Sequence, residues 1–251
     1  MKVDAHIRAL EAQGAGLAAA AAAAGPDAEV PTCPGWRVRD LLAHAGGVHR
    51  WAASYVEDRR TSPWTTEEEA RFFHLRNDQD PVDWYTRSLR ELINTLRDAA
   101  PDTACWSFLP SPTPLAFWAR RQAHEAAIHR VDAERAASHD SPQYDPAFAS
   151  DGLDELICGF QGRGRGRLRA DPPRTMTIAA TDHDRGWTVH IGPDRRTGAL
   201  GAATDADLTV SGTASDLYLL LWNRGDEARV VLDGDRDLLD MWREKAVVTW
   251  A

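Results

Sequence analysis

The sequence predicts a helical bundle in the first half of the chain and a small α+β domain in the second half. Apolar residues recur every three or four positions in long segments of the first half, which is the spacing of one helix face. In the second half the pattern changes to short stretches of alternating apolar and polar residues, which is typical of strands. The length of 251 residues suits one large domain or two small ones.

The first half contains four predicted helices, with a short helical turn at "TTEEEA" between the second and the third. Pro81 is placed to open the third helix. The second helix contains Gly46-Gly47, which predicts either a close approach of a neighbouring element or a local kink. Connections of roughly 10–20 residues favour an up-and-down four-helix bundle. The predicted helices are residues 3–24, 36–59, 81–99 and 113–137.

The second half begins with a predicted helix at residues 146–160. A β-hairpin follows, formed by "RTMTIAATD" and "GWTVHIG" around the turn "DHDRG". The next predicted elements are a strand "ADLTVSGT", a helix "ASDLYLLLWNR" capped by Ser215 or Asp216, a strand "EARVVLDGD" and a terminal helix "RDLLDMWREKA". We place the domain boundary in "HDSPQYD", which divides the chain into residues 1–142 and 143–251.

Composition and charge limit the functions that the chain can have. A formal net charge of −9 argues against nucleic acid as a partner. Cys33, Cys105 and Cys158 are too widely spaced for a disulfide framework or a C-x-x-C zinc site, so a reducing compartment fits best. The N-terminal residues are charged where a signal peptide would be apolar, and the run "LAAAAAAAG" is too short to span a bilayer. We therefore expect a cytoplasmic protein without membrane contact.

The segment "RQAHEAAIHRVDAE", residues 121–134, carries the strongest chemical pattern. His124 and His129 resemble a zincin pair but are five residues apart, so they point roughly 140° away from each other on a helix. Glu125 and His129 are four residues apart and can converge on one ion. The alternative is an ordinary polar helix flank, in which Arg121 forms an ion pair with Glu125.

A third metal ligand has to come from another helix, and the second helix offers His44 and His49. Both flank its apolar face, so periodicity does not choose between them. Two other patterns favour a structural reading. The basic run "GRGRGRLR", residues 162–169, is predicted to be a solvated loop, and Cys33 in "PTCPGW" is predicted to be buried or structural rather than a nucleophile.

Two segments carry a family pattern: "VPTCPGWRVRDLLAHAGGVHRWA", residues 30–52, and "FWARRQAHEAAIHRVDAE", residues 117–134. Both resemble the mycothiol-dependent maleylpyruvate isomerase family. The segment "LLLWNRGD…VVLDGD" looks like the small α+β domain of that family. The resemblance implies a DinB-like four-helix bundle, a fold of thiol-dependent metalloenzymes, followed by a small C-terminal α+β domain.

The resemblance also implies a site. The family holds a divalent metal, usually zinc, with residues that match His44, Glu125 and His129, and it places an arginine of the C-terminal domain facing that metal, which matches Arg224. Mycothiol would bind the metal as thiolate and attack an electrophilic small molecule, giving an isomerase or an S-transferase. Arg224 would orient a carboxylate of the thiol or substrate, and Arg121 or Asp132 would support the ligands.

Two other functions fit the same residues. One is a non-catalytic metal- or thiol-binding module, which would have no need of Arg224. The other is a metal-dependent hydrolase with metal-bound water as nucleophile, although no further carboxylate in the two segments is placed as a general base.

Overall fold

The computed structural model describes residues 1–163, 166–246 and 248. It divides into two compact units, Met1–Pro142 and Gln143–Ala251. Gly164 and Arg165, in the middle of the basic run, lie outside the described residues. Among the residues that the structure describes, no helix combines the length and the apolar composition needed to cross a membrane.

The first unit is a four-helix bundle. Helix α1 packs along α5 and against α4, and α2 packs against α4 and α5. Its core consists of fully buried apolar side chains, among them Leu10, Leu41, Leu92 and Trp118. A short helix α3 and a 3₁₀ turn at Ala70–Phe73 connect α2 to α4. The helices are α1 (Val3–Ala24), α2 (Val38–Glu57), α3 (Thr66–Glu69), α4 (Pro81–Asp98) and α5 (Pro114–Ala136).

Gly46 and Gly47 allow two aromatic side chains to approach the backbone of α2. A Cβ atom on Gly46 would lie 2.3 Å from the ring of Trp84 in α4, and one on Gly47 would lie 2.2 Å from the ring of Phe73. Since α2 continues through both positions as regular helix, the prediction of a close approach is confirmed and that of a kink is wrong.

In its described residues, the second unit combines a five-stranded sheet with three α-helices. The strand order is β3-β2-β1-β4-β5, with β1 and β4 parallel and all other neighbours antiparallel. Helix α6 continues into a π-helical turn at Glu155–Phe160. The elements are α6 (Pro146–Asp154), β1 (Arg174–Ala180), β2 (Gly186–Ile191), β3 (Arg196–Leu200), β4 (Leu208–Gly212), α7 (Ala214–Leu221), β5 (Val231–Gly234) and α8 (Asp237–Lys245).

The predicted fold class, a four-helix bundle followed by an α+β unit, is confirmed, with local corrections in the second unit. Strand β3 was not predicted, because "RTGAL" has no apolar alternation of its own and is paired only through β2. The predicted cap of α7 was wrong: Thr213 caps the helix by accepting a hydrogen bond from the Asp216 backbone N–H. Ser215 instead accepts a hydrogen bond from the Tyr144 backbone N–H.

The basic run differs in part from the predicted solvated loop. Arg163 and Arg167 are exposed, whereas Leu168 is fully buried and Arg169 is half-buried. The loop is therefore anchored at its C-terminal end.

Candidate metal centre

Three side chains from two helices converge inside the bundle. His44 lies on α2, and Glu125 and His129 lie one turn apart on α5. The Nε2 atoms of His44 and His129 are 3.3 Å and 3.1 Å from Glu125 Oε1. One ligand atom from each of the three residues lies within 4.8 Å of the other two. The arrangement follows from the four-residue spacing on α5 and from the packing of α2 against that helix face.

The three side chains differ in exposure. The side chains of Glu125 and His129 are 5% and 11% exposed, and that of His44 is 20% exposed. The cluster is thus closed on the α5 side and accessible beside His44. Trp36 and Phe73 line that side, with ring centroids 5.1 Å and 6.3 Å from the imidazole of His44. The sequence analysis did not predict that these two rings contact His44, because no helical or strand spacing connects them to it.

Asp132 fixes the orientation of His129. His129 Nδ1 donates a hydrogen bond of 2.8 Å to Asp132 Oδ2, which directs its Nε2 toward Glu125 and His44. Asp132 is fully buried and also accepts hydrogen bonds from the Thr32 hydroxyl at 2.6 Å and from the Cys33 thiol at 3.5 Å. The loop that precedes α2 is therefore tied to the centre through one carboxylate. Cys33 is partly buried and has this structural contact, in line with the role predicted for it.

Arg121 forms the ion pair that the alternative reading predicted. Its Nη2 lies 3.2 Å from Glu125 Oε2, while Glu125 Oε1 faces the two imidazoles. The carboxylate thus joins Arg121 and the histidine pair at the same time, so the ion pair does not compete with the cluster.

The charged groups of the cluster shift one another's pKa. Burial opposes ionisation of Glu125, but hydrogen bonds from His129 and His44 and the charges of His129 and Arg121 hold its pKa well below the usual value. Burial likewise opposes protonation of His129, but the carboxylates of Asp132 and Glu125 raise the pKa of His129 to about 9. The site therefore favours positive charge at the point where the three side chains meet.

The other histidines of these helices lie elsewhere. His49 is fully buried, with Nδ1 2.7 Å from Gln122 Oε1 and Nε2 3.4 Å from the Tyr85 hydroxyl. His124 is also fully buried, and its ring contacts that of His6 at 6.1 Å. The structure thus brings His44, rather than His49 or His124, next to Glu125 and His129.

The donor set fits a divalent metal ion. Two imidazole nitrogens and one carboxylate oxygen are ligands that zinc accepts, and three protein ligands are typical of a catalytic site with an open position. The Asp132 carboxylate behind His129 matches the support that metal-binding histidines usually have.

Comparison with known protein families decides the relationship of the chain. Residues 7–134 match the mycothiol maleylpyruvate isomerase N-terminal domain, and residues 147–241 match the MDMPI C-terminal domain of the same family. The chain belongs to the mycothiol maleylpyruvate isomerase family. This confirms the family predicted from the two sequence segments and, with it, the prediction that the chain is an enzyme.

Solved structures of this family agree in fold. The crystal structure of the mycothiol-dependent maleylpyruvate isomerase and that of a single-residue variant are each 14% identical in sequence to this chain. Each comparison covers 93% of both chains with a TM-score of 0.64. At that identity the likeness concerns the fold. No curated protein matches the chain significantly in sequence.

Both family domains contain predicted site residues. His44, Glu125 and His129 fall within the N-terminal match and Arg224 within the C-terminal match. Helix α7 ends at Leu221, and the left-handed φ of 60° at Asn223 then turns the chain. Arg224 follows, with its Nη1 2.8 Å from the Trp222 carbonyl. Gly225 is required next, because a Cβ atom there would lie 2.4 Å from the Leu220 backbone nitrogen. Arg224 is half-buried within the second unit, and its role stays a prediction.

Proposed function

We propose that the protein is a mycothiol-dependent metalloenzyme that isomerises an electrophilic small molecule, in which His44, Glu125 and His129 hold a divalent ion, zinc by preference. The observation that carries the proposal is the geometry of these three side chains, whose ligand atoms lie within 4.8 Å of one another. The partly exposed side chain of His44 leaves the cluster accessible to a ligand. Membership of the mycothiol maleylpyruvate isomerase family supports mycothiol as the thiol that the enzyme uses. A divalent ion held there would lower the pKa of a neighbouring thiol and so supply a thiolate at neutral pH.

The residues of the chain would act mainly by binding and orientation. Glu125 and His129 present their ligand atoms from one helix face. Once the metal has displaced the proton from Nε2, the hydrogen bond to Asp132 would keep the remaining proton of His129 on Nδ1. Trp36 and Phe73 lie beside His44 and would shield a ligand bound there from water. Arg224 would bind a carboxylate of the thiol or the substrate through its planar guanidinium.

The reaction needs no oxidant. A carbon–sulfur bond forms when the thiolate adds to one carbon of a conjugated double bond, and the electron pair moves onto the conjugated carbonyl. Rotation about the resulting single bond followed by cleavage of the carbon–sulfur bond returns the thiol and the isomerised product. If the adduct takes up a proton instead, it is the product of an S-transferase. The proposal places the enzyme in the cytoplasm, where low-molecular-weight thiols are reduced.

Metal analysis of purified variants tests the ligand set. We expect stoichiometric divalent metal in the wild type and loss of it in His44→Ala, Glu125→Ala and His129→Ala. His139→Ala is the matched control, because His139 is an exposed histidine whose partner is Glu134 outside the cluster. Retention of stoichiometric metal in all three variants would show that the ligand assignment is wrong.

An activity assay tests the reaction and its alternatives. Maleylpyruvate and a panel of conjugated electrophiles are offered with and without mycothiol, and both product geometry and thiol consumption are followed. Isomerisation with the thiol returned supports the proposal, whereas a stable thiol adduct identifies a transferase. Turnover without thiol would favour a hydrolase, and metal binding without any turnover would favour a binding module.

The kinetics of an Arg224 variant with carboxylate substrates test the role of this residue. Arg224→Lys is expected to raise KM for carboxylate substrates more than it lowers kcat, because lysine lacks the planar pair of donors. The control is Arg229→Lys, an exposed arginine of the same segment. Equal kinetics in the two variants would remove Arg224 from the site.

A further inference from the structure

Three buried polar side chains form a hydrogen-bonded chain inside the first unit. His49 of α2, Tyr85 of α4 and Gln122 of α5 are fully buried. His49 Nδ1 lies 2.7 Å from Gln122 Oε1, and His49 Nε2 lies 3.4 Å from the Tyr85 hydroxyl. Polar groups in the core of a helical bundle are costly unless their hydrogen-bonding capacity is used. The chain therefore has to be satisfied at both of its ends.

The direction of these hydrogen bonds follows from the protons that each group carries. Burial lowers the pKa of His49 to about 4, so at neutral pH the ring is neutral and has one proton. If Tyr85 donates to His49 Nε2, that proton is on Nδ1 and is donated to Gln122 Oε1. The opposite direction would leave the Tyr85 proton without an acceptor among the described residues. The chain thus runs from Tyr85 through His49 and ends at the Gln122 amide nitrogen.

The amide nitrogen of Gln122 is the unpaired end of this chain. Its Nε2 atom is buried and has no hydrogen-bond partner among the residues that the structure describes. Leaving a buried donor unsatisfied costs free energy, and an apolar side chain of similar length at this position would avoid that cost. The amide therefore indicates that an acceptor arrives with a ligand.

The unpaired donor lies in the same interface between α2 and α5 as the candidate metal centre. Gln122 precedes Glu125 by three residues on α5, which places their Cβ atoms about 5–6 Å apart on one helix face. Both side chains meet α2, since Glu125 contacts His44 and Gln122 contacts His49. The side chain of His44 is 20% exposed, whereas Gln122 and His49 are fully buried. Gln122 therefore lies deeper in this interface than the accessible side beside His44.

We propose that the Gln122 amide donates a hydrogen bond to the carbonyl oxygen of the electrophile, where negative charge develops when a thiolate adds to the conjugated double bond. This inference rests on the proposed function. No proton moves in the step: the carbon–sulfur bond forms, the electron pair of the double bond shifts onto the carbonyl oxygen, and the amide N–H stays intact. A donor that His49 holds in place, away from water, stabilises such a charge strongly. Gln122 would therefore favour conjugated carbonyl compounds as substrates.

NMR of the zinc-loaded protein, labelled with ¹⁵N in its glutamine side chains, tests the contact without turnover. The Gln122 signal is identified as the one absent from Gln122→Glu, which keeps an acceptor for His49. Maleylpyruvate without mycothiol is expected to shift this signal, whereas the Gln161 signal should stay in place, because that amide already donates to the Ala246 carbonyl. Maleylpyruvate that binds without moving the Gln122 signal would overturn the inference alone, and absence of binding would overturn the proposed function with it.

Isomerisation kinetics of Gln122→Met measure the contribution of the donor. Methionine is similar in length to glutamine but has no N–H, so kcat is expected to fall about 100-fold with little change in KM. The metal content should equal that of the wild type, because Gln122 is not a proposed ligand. Gln161→Met is the matched control, since it removes another buried glutamine amide in the second unit. Unchanged kcat in Gln122→Met, or an equal fall in Gln161→Met, would overturn the inference.

Discussion

At the scale of single residues, the candidate centre depends on Asp132 as much as on the three side chains that face each other. Asp132 accepts a hydrogen bond of 2.8 Å from His129 Nδ1–H and one of 2.6 Å from the Thr32 hydroxyl. One carboxylate thus sets the tautomer of a proposed ligand and anchors the loop that carries Trp36. A histidine held in this way loses little rotational freedom when it binds a metal.

Replacement of this carboxylate is expected to weaken metal binding. In Asp132→Asn the charge behind His129 is lost, and metal affinity should fall about 10- to 100-fold. Competition with a chromophoric chelator measures the affinity. Glu134→Gln is the control, because it removes a carboxylate of the same helix whose ion-pair partner is Arg130, outside the cluster. Unchanged affinity in Asp132→Asn would leave the residue with only its role in holding the loop.

His49 is expected to remain neutral in mildly acidic solution. Burial lowers the pKa of His49 to about 4, against the hydrogen bond to Gln122 and the charge of Glu125, while His129 and His44 add to the lowering. Its other contact is the Tyr85 hydroxyl. Because only the unfolded chain takes up this proton between about pH 6.5 and 4, the folded state loses about 3 kcal/mol of stability as the pH falls through that range.

The titration of His49 is measured by NMR of histidine rings labelled at Cε1. The signal of His49 is identified as the one missing from His49→Asn, and it should keep its neutral shift down to about pH 5. Acid destabilisation should also be smaller in that variant. A His49 signal that titrates near pH 6.5 would contradict the burial argument.

At the scale of secondary-structure elements, the distance between α2 and α4 is set by glycine. The ring of Trp84 is buried and lies where a side chain of Gly46 would be, 2.3 Å from the Cβ position. The cost of glycine in a helix interior is offset by the packing that it permits.

Alanine at this position is expected to separate the two helices. Gly46→Ala gains helix propensity but forces Cβ against the Trp84 ring, so the stability should fall by about 1–3 kcal/mol. Gly16→Ala in α1 is the matched control, since its Cβ meets the flexible end of the Arg130 side chain. Denaturant unfolding compares the two, and equal stability of both variants would show that Trp84 has room to move.

At the scale of the whole molecule, the proposed metal ion would link two helices that are far apart in the sequence. His44 on α2 and His129 on α5 are separated in the sequence by α3 and α4. An ion that binds only when these helices are packed stabilises the folded state by mass action.

Metal is therefore expected to raise the thermal stability of the wild type. At a free zinc concentration about 100 times the dissociation constant, the gain is about 2.7 kcal/mol, and a chelator should abolish it. His129→Ala should have the same melting temperature with zinc as with chelator, whereas His139→Ala should be stabilised by zinc like the wild type. Calorimetry measures the shift, and an equal response in His129→Ala would mean that zinc stabilises the protein elsewhere.

The sequence by itself determined the features that depend on local helical geometry. The bounds of the four bundle helices agree within about two residues of the predicted ones, because apolar periodicity, Pro81 and the caps act within a few residues. The convergence of Glu125 with His129 follows for the same reason, since four residues are close to one helical turn.

The tertiary structure decided what depends on contacts between distant segments. His44 and His49 both flank the apolar face of α2, and only the packing against α5 places one beside Glu125 and the other on Gln122. The edge strand β3 exists through its pairing with β2, and Arg196 is buried because of that pairing. Periodicity states which face of an element is buried. Which partner meets each side chain depends on how the elements pack, and this information is not contained in any local stretch of the chain.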